Sequence, residues 1–455
     1  MERERLGSRL GFILLSAGCA IGLGNVWKFP YMVGENGGGI FVLIYILFLL
    51  ILGAPVLTME YAMGRASQKS PVKMYDGLEP KGSKWHNHGY IAMAGCYILM
   101  MFYTVIAGWM IKYFFASTTG EYSGLDPVGV ADYFGQLTSD PVLMFTLTAI
   151  VVVIGFLVCS LGVKNCLERV TKYMMLLLLA LMVILVIHSF TMEGAPSGLE
   201  FYLMPDVDNF LDAGVVNVII AAMSQAFFTL SIGMGSMAIF GSYIDRKRSL
   251  LGEAVTVGAL DTSVALMSGL IIFPACFTFG IDVQAGPRLI FITLPNVFNN
   301  MPMGELWGSL FFLFMCFAAL STVFAVFECI VACTMDVTGW DRKKASLVNC
   351  AVMLVLVLPC ILGFNVLSGF QPFGPDSNML DLEDFIVSYV ILPSGALIFT
   401  IFCATRYGWG WERFKAEANQ GNGLKVAEWM RPYVTYVLPV IIAILFVTGI
   451  VNTFI

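Results

Sequence analysis

Long apolar runs, separated by short stretches rich in glycine, proline and charge, set the pattern of this chain. Apolar runs lie at 10–34, 38–64, 88–116, 141–159, 167–190, 214–243, 250–280, 305–335, 345–363, 384–404 and 433–453. Each is long enough to cross a hydrocarbon core of about 30 Å at 1.5 Å per residue. The pattern predicts eleven membrane helices. The joints read "ENGG", "GLEPKGSK", "GLDPVG", "EGAPSG" and "FQPFGPDSN", the turn-forming and charged residues expected between spans. One further apolar stretch, 284–302, is bounded and cut by proline and reads as a re-entrant hairpin.

Two of the runs carry residues that do not suit a lipid-facing helix. The first contains "GCAIGLGN" and the sixth "TLSIGMGS", residues 229–236. Loose backbone at mid-membrane survives where it lines a cavity. Five helices separate the two, and an odd shift reverses the orientation of the second set. Helices 1–5 and 6–10 are therefore expected to form inverted repeats whose interrupted members meet near the midplane. A broken helix frees N–H groups at one end and carbonyls at the other. The first attract a carboxylate and the second a cation, so the site suits a zwitterion and a cation together.

Composition narrows the class. Of 455 residues 58% are hydrophobic and 12% charged, about half the charged fraction of a soluble globule; this is an all-α polytopic membrane protein. All lysines and arginines except Lys28, Lys112 and Arg288 fall at the N-terminus or in the joints after even-numbered helices, and from 406 to 431. The opposite joints carry Glu121, Asp126, Asp132, Glu193, Asp206, Asp208 and Asp376. The positive-inside rule then puts the N-terminus in the cytoplasm and the C-terminus outside. Eleven cysteines, mostly in apolar runs, show no Cys-x-x-Cys spacing, and there is no Asn-x-Ser/Thr acceptor site, which favours a bacterial source. His86 and His88 have no third ligand nearby and read as surface histidines. Nothing in the charge pattern suggests a nucleic-acid partner.

The stretches "RLGFILLSAGCAIGLGNVWKFPYMVGENGGGIF", "EYAMGR" at 60–65 and "QAFFTLSIGMGS" at 225–236 closely resemble the neurotransmitter:sodium symporter family, and within it the bacterial amino-acid transporters of the LeuT type. The resemblance runs from about residue 3 to 405. It implies a latch at 1–9, a first repeat at 10–190, an extracellular loop at 191–213, a second repeat at 214–404, a cytoplasmic loop at 405–432 and an eleventh helix at 433–455.

The resemblance also implies site residues. One sodium ion would be held by Ala20, Asn25, Thr229 and Asp261 with the substrate carboxylate, and a second by Gly18, Ile21, Ala318, Ser321 and Thr322. The substrate carboxylate would meet the N–H groups of Leu23 and Gly24 and the Tyr103 hydroxyl, its amine the carbonyls of Ala20, Phe228 and Thr229, with Ser231 nearby. Leu99, Phe228, Met234, Thr322 and Val326 would set side-chain selectivity, and none is charged. Lys28 and Asp384 would form an extracellular gate, with lysine where the family usually has arginine. Arg3, Ser242, Tyr243 and Asp336 would form a cytoplasmic latch, with Leu6 replacing the usual tryptophan. Glu60 would brace the broken sixth helix through its free amides, and Glu328 has no assigned role.

These residues point to a symporter in the bacterial plasma membrane that imports neutral hydrophobic L-amino acids, aliphatic and aromatic, with two sodium ions. Asp261 supplies a fixed negative charge where many animal relatives have a neutral residue and need chloride, so chloride independence is expected. In some chloride-independent relatives the carboxylate lies one turn further on, where this chain has Ala265. The alternatives are an intramembrane enzyme, for which no Ser/His, Glu/His or clustered His arrangement is found, and a substrate-gated channel, for which no continuous polar lining is found.

Overall fold

A computed structural model describes residues 6–280, 289–375 and 377–454. Helices carry almost all of it, with no strand among the described residues beyond a single bridge between Arg248 and Asn422. In chain order the helices are α1 Arg9–Ala20, α2 Gly24–Glu35, α3 Gly39–Ser67, α4 Asn87–Thr119, α5 Pro127–Ser139, α6 Pro141–Ser160, α7 Glu168–Ser189 and α8 Ala195–Leu203. There follow α9 Val207–Asp212, α10 Val215–Thr229, α11 Ser236–Gly241, α12 Leu250–Phe279, α13 Leu289–Asn299, α14 Gly304–Thr338, α15 Arg342–Gly363, α16 Met379–Ala404, α17 Trp411–Ala418 and α18 Met430–Val451.

Nine of these helices, among the described residues, are continuous, long and apolar enough to cross a membrane. The pair α1 and α2 forms one more span, bent by 57°. α10 is only 15 residues long, and across residues 230–235 it gives way to α11. Both predicted interruptions are therefore present as breaks in helix. Of the predicted hairpin at 284–302, residues 284–288, Arg288 among them, lie outside the described residues; Leu289–Asn299 form α13.

Proline leaves a regular mark on these helices. Among the described residues, five of the six π-helical turns end two residues before a proline: Pro30, Pro55, Pro295, Pro393 and Pro439. Proline lacks an N–H, and its ring crowds the carbonyl four residues back. One wider turn takes up both defects without ending the span.

α14 is the core, with 78% of its most apolar stretch buried, and α4 is its principal partner; α7 and α18, at 28%, are peripheral. α1 packs against α7, α12 and α14. α11 lies on α3 so closely that a Cβ on Gly64 would fall 1.9 Å from the Ala238 carbonyl oxygen. Below this contact Arg65, fully buried, pairs with Glu417 of α17 at 2.7 Å and donates to the Arg248 carbonyl at 2.8 Å. The loop helix α17 is thereby fastened to the end of α3.

Candidate substrate and cation site

The two helix breaks face each other across a cavity of about 390 Å³, mouth included. α1 ends because Ile21 turns extended, and Gly22 and Leu23 bridge to α2. Glycine is required here by close approach. A Cβ on Gly22 would lie 2.4 Å from the Tyr103 hydroxyl, and one on Gly24 2.8 Å from the Phe228 ring. The second break runs through Ser231, Gly233 and Gly235, all at positive φ. Glu60 accepts the Gly233 N–H at 2.5 Å, so a buried carboxylate holds one of the amides that the break releases. Gln225 of α10 donates to the Gly24 carbonyl at 3.0 Å and ties the two breaks together.

Ala20, Leu23, Gly24, Leu99, Tyr103, Phe228, Thr229, Ser231, Met234 and Thr322 all line this cavity. Val326 does not: it is fully buried one turn further along α14. Four lining residues were missed by sequence reasoning: Cys19, Gly22, Val387 and Leu392. The last two come from α16, whose π-helical turn at Ile386–Ile391 re-aims an otherwise ordinary apolar segment. Among the described residues no charged side chain lines the cavity. At its rim the Tyr103 hydroxyl accepts the Leu23 N–H at 3.1 Å. Chemically the cavity offers main-chain and hydroxyl groups for a zwitterion's two ends and apolar walls for its side chain.

Beside the cavity, three polar side chains from three elements converge without exposure. The Asn25 amide donates to Asp261 Oδ1 at 2.8 Å and to Thr229 Oγ1 at 3.1 Å, and the Thr229 hydroxyl donates to Asp261 Oδ2 at 2.9 Å. Ser268 fixes the strand of backbone below by donating to the Asn25 carbonyl at 2.7 Å. A carboxylate so deep in apolar surroundings needs such partners or a cation. The Asn25 oxygen now accepts the Gly22 N–H at 3.1 Å; turning the amide over would bring a fourth oxygen to this group, and oxygen donors suit a hard cation.

A second oxygen cluster joins α1 to α14. The Thr322 hydroxyl lies 3.2 Å from the carbonyl oxygens of both Gly18 and Ile21 and 3.4 Å from that of Ala318, and the Ser321 hydroxyl lies 2.9 Å from the Ala318 carbonyl. All five predicted oxygens are thus in one place, and all are buried. The carbonyls of Gly18 and Ile21 are available because α1 stops there.

The predicted gates look different. Lys28 does not lie within ion-pair distance of Asp384 among the described residues; its ammonium sits 3.9 Å above the Phe228 ring, and Asp384 accepts a hydrogen bond from Ser388 at 2.7 Å. Such a cation–π contact occupies the ammonium without an ion pair. At the other end Arg3 lies outside the described residues. Asp336 accepts the Ser70 N–H at 2.7 Å, Ser242 bonds the Ile239 carbonyl at 2.6 Å, and Tyr243 donates to Glu328 at 2.6 Å. Glu328, unassigned from sequence, is fully buried and also takes both prongs of Arg342, at 2.6 and 3.0 Å. The N-terminal segment is held too: Gly7 and Ser8 donate to Glu168 at 2.7 and 2.9 Å, and Arg9 pairs with Glu253 at 3.0 Å.

The histidine pair requires a correction. His86 is at the surface, bonded to Glu79 at 2.6 Å, but His88 is buried, with its Nδ1 2.7 Å from the Tyr75 hydroxyl. It lies on α4, where the rings of Tyr75 and Phe399 pack edge-on against it. Outside the membrane, burial works against the Glu79 carboxylate, yet hydrogen bonds from Ser83 and His86 hold it below the usual carboxylate range.

Comparison with known proteins agrees with this architecture. The structure is similar to that of MhsT in complex with L-phenylalanine, at 36% identity and a TM-score of 0.87, over 98% of this chain and 100% of that one. An uncharacterized sodium-dependent transporter of Bacillus subtilis, YhdH, is 36% identical over 87% of this chain and 86% of its own length. A second, from Haemophilus influenzae, is 30% identical over 98% of both chains. The human sodium- and chloride-dependent taurine transporter is more distant, at 26% over 86% of this chain and 71% of its own. These relatives are transporters, not enzymes, and the fold is the LeuT type. Residues 3–124 and 132–454 match the profile of the Sodium:neurotransmitter symporter family, and the chain belongs to that family as a multi-pass, sodium-dependent membrane transporter.

Proposed function

We propose that this protein couples the inward movement of two sodium ions to the import of neutral hydrophobic L-amino acids, aliphatic and aromatic, by alternating access and without chloride. The observation that carries this reading is the pairing of an uncharged cavity with two flanking oxygen clusters, one of which contains the fixed carboxylate of Asp261. A zwitterion fits: its carboxylate reaches the Leu23 and Gly24 amides and Tyr103, while its side chain faces Leu99, Phe228, Met234, Val387 and Leu392. A charged side chain would be left without a partner there. The similar MhsT structure is a complex with L-phenylalanine, which supports an aromatic substrate.

Two sodium ions placed beside one substrate carboxylate need a second negative charge, and Asp261 is positioned to provide it at all times. In this reading the N-terminus is cytoplasmic, the C-terminus is extracellular, the Lys28–Phe228 contact closes the cavity from outside, and residues near Tyr243 and Asp336 close it from inside. The test is uptake into proteoliposomes. L-phenylalanine should accumulate with an inward sodium gradient, should be displaced by leucine but not by aspartate or lysine, and should persist when gluconate replaces chloride. Uptake that stops without chloride, or that aspartate or lysine competes for best, would overturn the assignment.

A further inference from the structure

One buried carboxyl group has no part in either oxygen cluster. Glu383 lies in the first turns of α16, is 3% exposed, and among the described residues neither of its carboxylate oxygens meets an N–H or O–H donor. Every charged neighbour on the packed elements is engaged elsewhere. On its own helix, Asp381 accepts the Asn378 N–H at 2.8 Å and Asp384 the Ser388 hydroxyl at 2.7 Å. From α15 the titratable group beside it is the Cys360 thiol, a weak donor, and Arg342 at the far end of that helix pairs with Glu328. From α4, Lys112 pairs with Glu121 at 2.5 Å, and from α2, Lys28 rests on Phe228 and faces Tyr389. Among the described residues, an ionised carboxylate in this position would have no cation and only the weak Cys360 thiol to offset its desolvation penalty.

Position links this group to the cavity. Val387 lines the cavity and stands four residues after Glu383, on the same face of α16. Packing α16 against the cavity therefore buries Glu383 in the same movement. We propose that Glu383 is a proton-binding site of the extracellular gate: closing the gate over substrate draws one proton from water onto its carboxylate, and opening returns that proton to water. Glu383 then makes the closed state one proton richer than the open one. This rests on the reading in which the cavity takes a substrate amino acid.

The test is a calorimetric titration of the full-length protein with L-phenylalanine in saturating sodium, repeated in buffers of different ionisation enthalpy and across pH 6–9. The slope of heat against buffer enthalpy counts the protons taken up. Wild type should take up to one proton more than Glu383→Gln, whose amide imitates the protonated acid. Its phenylalanine affinity should fall up to tenfold per pH unit on the alkaline limb, where the Gln variant stays flatter. Glu383→Asp, which keeps a titratable carboxyl, should restore the uptake. Equal proton counts in wild type and Glu383→Gln, or no uptake by wild type if the variants do not fold, would overturn the proposal while leaving the substrate reading intact. A wild type that gives no sodium-dependent heat would instead defeat the substrate reading and this inference with it.

Discussion

Thr322 shows how much one hydroxyl can carry. Its oxygen reaches both the Gly18 and the Ile21 carbonyls, the two acceptors that α1 exposes by ending. Thr322→Ala should weaken apparent sodium affinity by about 1.5–3 kcal/mol, roughly ten- to hundred-fold, if the hydroxyl is an ion ligand. Ser321→Ala should cost less, because that hydroxyl is turned to its own helix at Ala318. Sodium titrations of phenylalanine binding decide; unchanged midpoints in both variants would place the ion elsewhere. Folding should be spared, since alanine suits a helix interior. These hydroxyls were legible in the sequence because polar side chains in the middle of an apolar span need a reason. Val387 and Leu392 were not, because an apolar residue in an apolar helix looks the same whether it faces lipid or a cavity. Val326 failed for a related reason: its spacing from Thr322 fits one helical face, but the cavity ends before it.

At the scale of elements, the breaks are interlocked with an unbroken neighbour. A Cβ on Gly233 would fall 2.0 Å from the Leu392 carbonyl oxygen, and one on Gly395 1.8 Å from the Gly233 carbonyl oxygen. Gly233 also has φ +101°, a conformation that L side chains rarely adopt. Gly233→Ala should therefore separate the second break from α16 and destabilise the protein by more than about 3 kcal/mol, visible as lost thermal stability in detergent. Wild-type melting would show the interlock to be slack. The sequence announced the glycines of this break but not their partner, since close approach between distant segments leaves no periodic trace. Glu328 was opaque for the same reason. Its partner Arg342 lies on the next helix, and only the turn of α14 into α15 brings the two together. Glu328→Gln should cost about 3–5 kcal/mol by stranding a largely buried guanidinium, and Arg342→Gln on top of it should recover part of that loss. Melting temperatures of the two singles and the double decide; simple addition would mean the pair is not coupled.

For the whole molecule, the placement of one charge fixes how much work the sodium gradient can do. If Asp261 permanently balances the second sodium ion, no chloride travels, and each zwitterionic substrate enters with two net positive charges. Each charge falling through 100 mV releases about 2.3 kcal/mol. Two supply about 4.6 kcal/mol, enough for roughly a two-thousand-fold accumulation before any sodium concentration gradient is added. In Asp261→Asn the fixed charge is gone while the side chain keeps its size, although the amide can accept from only one of Asn25 and Thr229. Transport should then collapse or should require chloride as the replacement anion, and a co-transported chloride would reduce the charge moved from two to one. Reversal potentials measured in proteoliposomes with imposed potassium potentials separate the cases. Wild type should show two charges per phenylalanine, independent of chloride, and the variant one charge in chloride and little transport in gluconate. A wild type that moves a single charge would mean that one sodium ion, or an accompanying anion, has been wrongly counted.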